Sequence, residues 1–254
     1  MSNLVVYPVF VFAFSFVVMC LSAWLGVSFR KRRPLEEGER QDLDVISAAT
    51  LTLLGLIIGF SFSMAISRYD QRKTYEEEEA NAIGTEYVRV DLLSANDAAK
   101  VRALLTDYLD QRILFYKTRD HGELRQIGIA TAQLQSNLWS AVKAPAVAQP
   151  TPVLALAVSG MNDVLNSQGY TQAGWWNRIP IAAWCLMVVV AICANILVGY
   201  GSHHAQARVR PLLLLPFILG IAFFAIADID SPRRGIIRVQ PQNLMSLAES
   251  LRGH

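Results

Sequence analysis

Very little in this chain of 254 residues is equipped for covalent chemistry or for holding a metal. Its three cysteines, Cys20, Cys185 and Cys193, all fall inside apolar runs, and the last two lie about two turns apart on one helix, which argues against disulfides and thiolate metal sites. The four histidines, His121, His203, His204 and His254, make no ligand spacing beyond one adjacent pair. His203 and His204, close to Arg208 and Arg210, read as polar residues at a membrane edge. A phosphate loop, a GxSxG elbow, HExxH and CxxC are all missing, so the sequence reads as a non-enzyme without cofactor or metal. Charge is scarce as well. Only 17% of residues are charged, the net charge is +2, and lysines and arginines alternate with acids, leaving no basic face for nucleic acid.

What the chain has in quantity is apolar surface, with 53% hydrophobic residues and a mean hydropathy of +0.31, the signature of a membrane protein whose first partner is the lipid bilayer. Four runs compare with the roughly 20 residues that a helix needs to cross hydrocarbon: Leu4 to Phe29, Val45 to Ser67, Ile179 to Tyr200 and Leu212 to Ala227. The last is short and carries Pro211 and Pro216, which neighbouring helices can accommodate. Residues 1–9 lack lysine and arginine while Arg30, Lys31, Arg32 and Arg33 follow the first run, the reverse of a cleaved signal peptide, so that run is expected to be retained.

Between the second and third spans lies a polar, helix-patterned insert. Ala80, Ile83, Tyr87, Val90 and Ser94 form one stripe at helical spacing; Val101, Leu104, Leu105, Tyr108, Arg112 and Phe115 form a second; Leu124, Ile127, Thr131, Leu134 and Leu138 form a third. Ser94 with Asp97, Asp120, and Thr151 with Pro152 are start signals, and Lys143 to Pro150 is the clearest loop. Glu76 to Glu79 reads as a solvated helix face. With no breaker between Ser61 and Ile83, the second span is expected to continue as one long helix to about Leu93. The expected organisation is an all-α membrane protein: spans one and two in residues 1–67, a helical extramembrane bundle over 68–178, spans three and four over 179–230, and a tail over 231–254.

The second span carries two rows. Ala48, Thr52, Gly55, Gly59, Ser63 and Ser67 place small residues along one side, which suits close approach of another helix. Thr52, Leu56 and Phe60 form an adjoining row that can face lipid, a neighbouring helix or a pore. At the end of span four, Asp228 opposes the negative end of the helix dipole and calls for a partner, for which Arg233, Arg234 or a residue of the insert are candidates.

Ile58, Gly59 and Phe60, followed by Ser67, Arg68 and Tyr69, resemble the second-helix region of bestrophins, where a Gly-Phe pair precedes a Ser/Thr-Arg-aromatic triplet. Asp228, Asp230, Pro232 and Gly235, with PQNLMSL after them, are similar to the bestrophin segment that follows the fourth helix. The whole chain looks like the bacterial bestrophin-like domain family. That resemblance implies a homo-oligomer, pentameric in bestrophins, in a bacterial inner membrane, and an ion channel, with anions among the candidate ions. It also implies a hydrophobic neck at Phe60, Leu56 and Thr52, the last a threonine where the family has a bulky apolar residue; helix packing at Gly55, Gly59 and Ser63 is the expectation of the small-residue row itself. The acids that bind calcium in some bestrophins are reduced here to Asp228 and Asp230. The rival reading is a non-conducting membrane scaffold or signalling protein whose helical insert binds a partner; a small-solute transporter is a third.

Sidedness divides the two lines of reasoning. The basic cluster after the first span argues for a cytoplasmic first loop, whereas bestrophin resemblance places the helical insert in the cytoplasm. If the insert is cytoplasmic, a cysteine introduced at Ala95 will react with an impermeant maleimide only after cell lysis; reaction in intact cells reverses the topology.

Overall fold

A computed structural model of the protein describes residues 8–32, 37–202 and 210–253. His203, His204, Arg33, Arg208, His254 and the first residues of the first apolar run lie outside the described residues. Among the described residues all regular structure is helical: α1 Pro8–Arg32, α2 Glu37–Arg89 with a 3₁₀ turn Val90–Leu92, α3 Ala95–Lys117, α4 His121–Ala148, α5 Pro152–Trp176, α6 Ile181–Gly201, α7 Arg210–Asp230 and α8 Gln242–Arg252. Among the described residues four helices are long and apolar enough to cross a membrane, and the four apolar runs fall in α1, α2, α6 and α7. The chain separates into two compact units, residues 1–69 with 178–238 and residues 70–177 with 239–254.

In the first unit α1 packs along both α6 and α7. Lipid supplies no apolar gain when two helices meet, so association depends on close contact, and small residues permit it. At the α1–α6 crossing a side chain on Gly26 would overlap the Ile196 carbonyl, and one on Gly199 would overlap the Ala23 carbonyl. Met19, Met187, Ala191, Ala194 and Phe223 fill the interior between the helices. Phe217 of α7 meets Phe12 and Phe16 of α1 edge-on, at 6.1 and 6.4 Å between ring centres. Arg30 ends the packed length of α1 by donating to the Tyr200 carbonyl at 3.0 Å.

The second unit is a helical bundle with a polar interior. Ser94, Asp120 and Thr151 cap α3, α4 and α5 as their spacing predicts, accepting from the amides of Asp97, Glu123 and Leu154. Val101, Leu105, Tyr108, Leu138, Met161 and Val164 are fully enclosed.

Four expectations are corrected. α2 begins at Glu37 rather than near Val45, because Glu, Gln and Arg are strong helix formers, acids favour the first turns, and Leu43 is buried as an anchor. α4 passes through Pro145, so the loop shrinks to Gln149–Thr151; alanines flank the proline, and its carbonyl still accepts from Gln149 at 3.0 Å. Residues 242–252, expected as tail, are α8, which joins the helical unit. Its first turn is held by Glu76, whose carboxylate accepts from the Leu244 amide at 2.9 Å and the Asn243 side chain at 2.7 Å. The acidic run is not a solvated face: Glu77 and Glu78 are exposed, but Glu76 and Glu79 are buried. Glu79 pairs with Arg112, which is equally buried, and also accepts from Thr171 at 3.1 Å and Tyr116 at 3.4 Å. The i, i+3 spacing puts both acids on one inward side of α2, and each finds a dedicated donor set.

Glu86 is the exception in this interior. It is fully buried, neither carboxylate oxygen has a hydrogen-bond partner among the described residues, and a side chain on Gly160 would collide with it. Burial pushes its pKa up to about 8, with Arg89 opposing the rise and Asp163 of α5 adding to it. The folded protein therefore holds a proton that the unfolded chain releases near pH 4.5, so stability falls as pH climbs from there to about 8 and levels off above. Thermal unfolding followed by intrinsic fluorescence is expected to show Tm dropping by several degrees between pH 5.5 and 8.5. Glu86→Gln will flatten that dependence, and an equally steep profile in the variant would refute the assignment.

Candidate functional site

The membrane-spanning part of α2 has a packed side and an open one. Leu54, Ser61 and Ala65 are buried within the first unit, with Ile57 and Ile58 half-buried beside them. At 3.6 residues per turn, Thr52, Leu56, Phe60, Ser63 and Ser67 fall about half a turn away, and all are exposed. Leu56 is 53% and Phe60 63% exposed, two of several large apolar side chains that a single chain leaves uncovered along its spans. Thr52 donates its hydroxyl to the Ala48 carbonyl at 2.8 Å, so it needs no outside polar partner and adds little polarity to the row.

Gly55 and Gly59 lie at the edge of the same open side, and a side chain on either would meet nothing within 4 Å. They contrast with Gly26 and Gly199, where another backbone occupies the space. Within one chain nothing demands glycine at 55 or 59. The structure thus brings Thr52, Leu56, Phe60, Gly55, Gly59 and Ser63 onto one continuous open face.

Ser67, Arg68 and Tyr69 close the first unit. Tyr69 packs against its apolar interior, Ser67 is exposed, and Arg68 is half-buried with an enclosed Nη1 that finds no hydrogen-bond partner among the described residues. The acids at the end of α7 are both buried. Asp228 accepts from the backbone amides of Ile236 at 2.7 Å and Ile237 at 2.8 Å, one on each oxygen. Backbone amides, rather than the arginine pairing expected from sequence, are the hydrogen-bond donors to this carboxylate, and they offset the unfavourable dipole at the helix end. The bond folds the chain back through buried Pro232 to Gly235, whose Cα lies so close to the Asp228 carbonyl that a side chain would overlap it. Asp230 accepts from the Ile179 amide at 3.1 and 3.3 Å, tying the end of α7 to the segment that leads into α6.

Sequence reasoning missed the glycines that govern packing within the chain. Ser15, Met19, Ser22, Ala23 and Gly26 on α1 recur at three- and four-residue steps, as do Met187, Ala191, Ala194 and Gly199 on α6 with one longer step, and all are buried. This small-residue periodicity was available in the sequence, but only the contact partner separates it from the similar row on α2.

A sequence model of the Bestrophin-like domain matches residues 13–244. No curated protein matches the sequence at a significant level. Among solved structures, a point variant of a bacterial bestrophin homolog from Klebsiella pneumoniae is similar with a TM-score of 0.64 and 11% identity, over 95% of this chain and 98% of that one. The Klebsiella pneumoniae homolog phased with zinc gives 0.63 and 11%, over 93% and 98%. At such identity the structures establish a shared fold, and the long sequence match establishes kinship. The chain belongs to the Bestrophin-like domain family.

Proposed function

We propose that this protein is an ion channel of a bacterial inner membrane, in which several copies, five as in bestrophins, set their α2 helices around a common axis. Leu56 and Phe60, with Thr52 above or below them, form a hydrophobic neck through which ions, anions being the first candidates, pass. Gly55, Gly59 and Ser63 let adjacent helices approach closely enough to close the ring. Asp228, Asp230, Pro232 and Gly235 hold the turn after α7, and Ser67, Arg68 and Tyr69 terminate the membrane part of α2.

The observation that carries this reading is the open face of α2. A span with one packed side normally turns its bulky residues to lipid, yet here the exposed bulky row adjoins two glycines that no contact within the chain explains. Small residues beside an exposed Leu-Phe row suit a helix whose partner is another copy of itself. A ring of such side chains excludes water when narrow and conducts when wetted.

Purified oligomer in planar bilayers provides the test. Leu56→Ala/Phe60→Ala is expected to raise unitary conductance several-fold, and Phe60→Ala alone to give part of that rise. Were these side chains packed in a helix interface instead, Phe60→Ala would cost roughly 3–5 kcal/mol of stability and leave current unchanged. That outcome favours a non-conducting scaffold. Gly59→Leu, measured by light scattering in detergent, will shift the mass from oligomer toward monomer; an unchanged mass would remove this face from the subunit interface.

A further inference from the structure

Between α1 and α7 runs a groove of about 390 Å³, lined by Phe16, Cys20, Trp24 and Val27 of α1 and by Leu212 and Leu213 at the start of α7. Its lining is almost entirely apolar. Along α1 the lining extends about eleven residue steps, from Phe16 to Val27, or roughly 16 Å at the helical rise. That is about half of the ~30 Å hydrocarbon core, the depth of one leaflet.

The two ends of the groove differ. Phe16 lies deep in the apolar span, whereas Val27 is one turn short of Arg30, Lys31 and Arg32 in the last turn of α1. Arg30 is engaged with the Tyr200 carbonyl at 3.0 Å, but Lys31 and Arg32 are exposed. Trp24, 65% exposed, sits on the groove near this end, where an amphipathic ring prefers to meet the headgroup region. On α2 the first acid whose side chain is described is Glu39. Apolar lining as long as one acyl chain is deep, with cations at headgroup height, suits one class of occupant.

We propose that this groove is a binding site for an anionic phospholipid. One acyl chain lies along the α1–α7 groove from Trp24 toward Phe16, and the phosphate and its anionic headgroup meet Lys31 and Arg32. A zwitterionic lipid of the same chain length fills the groove but gains less from the cations, so the site discriminates by headgroup charge.

Native mass spectrometry of the oligomer, released from a mild detergent doped with equal phosphatidylglycerol and phosphatidylcholine, counts the lipids retained per chain. Wild type is expected to retain phosphatidylglycerol preferentially. Lys31→Gln/Arg32→Gln, at exposed positions that leave packing untouched, will weaken phosphatidylglycerol retention roughly ten- to thirtyfold and leave phosphatidylcholine unchanged. Cys20→Phe, which fills the groove, will reduce retention of both lipids at constant oligomer mass. Equal retention of the two lipids by wild type overturns the proposal, as does a charge-neutralised variant that behaves like wild type. Loss of oligomer mass in Cys20→Phe at unchanged lipid count per chain overturns it too, and assigns the groove to a second copy of the chain. The Lys31/Arg32 variant decides the matter even where Cys20→Phe does not fold.

Discussion

Inside hydrocarbon, two helices gain nothing from hiding apolar side chains from their surroundings, so what holds them is the closeness with which their atoms meet. In the membrane unit that closeness is set at one crossing, where Gly26 and Gly199 each let the other helix's carbonyl occupy the place of a side chain. The register of α1 follows from it. Arg30 reaches the Tyr200 carbonyl because the crossing has already chosen which turn of α1 faces which turn of α6, while Phe12 and Phe16 meet Phe217 of α7. Gly55 and Gly59 in the spanning part of α2 have no such neighbour, so the fold of one chain does not call for them.

The helical unit solves a different problem. α2 carries an apolar pattern through its spanning part and then buries Arg72, Glu76, Glu79 and Glu86 in its second half. A buried charge without a counter-charge or hydrogen bonds is expensive. Arg72 meets this by donating to the carbonyls of Gly174 at 3.1 Å and Asn177 at 3.3 Å, satisfying the last turn of α5 at the same time. Glu79 meets it with Arg112, whose guanidinium also lies 4.5 Å from the centre of the Phe115 ring. Such pairs add little net stability over an apolar core, but removing one partner strands the other.

Much of this was legible from residues alone. Long apolar runs, capping residues at Ser94, Asp120 and Thr151, and the absence of breakers after Ser61 identify the four spans and the starts of α3, α4 and α5 because each is a local signal. What was not legible depends on partners distant in sequence. Glu76 to Glu79 looks like any acidic helix face until α3, α5 and α8 are placed around it. Pro145 looks like a terminator until the alanines beside it prove able to carry the helix past it. Asp228 looks short of an arginine, since backbone amides eight and nine residues later in a turn leave no mark in composition. The open face of α2 is the reverse case: its residues were singled out from spacing, and the fold of one chain leaves that face uncovered without supplying what covers it.

The cap that Glu76 places on α8 sets an order of events during synthesis. Its donors, Asn243 and Leu244, lie 167 and 168 residues further along the chain, after both α6 and α7. While the ribosome is still making those spans, the buried carboxylate of α2 has no native partner, and the helical unit lacks one of its walls. Closure of that unit is therefore deferred until the last two membrane crossings have been translated, so a nascent chain stalled before residue 243 carries an unfinished bundle however well its spans have inserted.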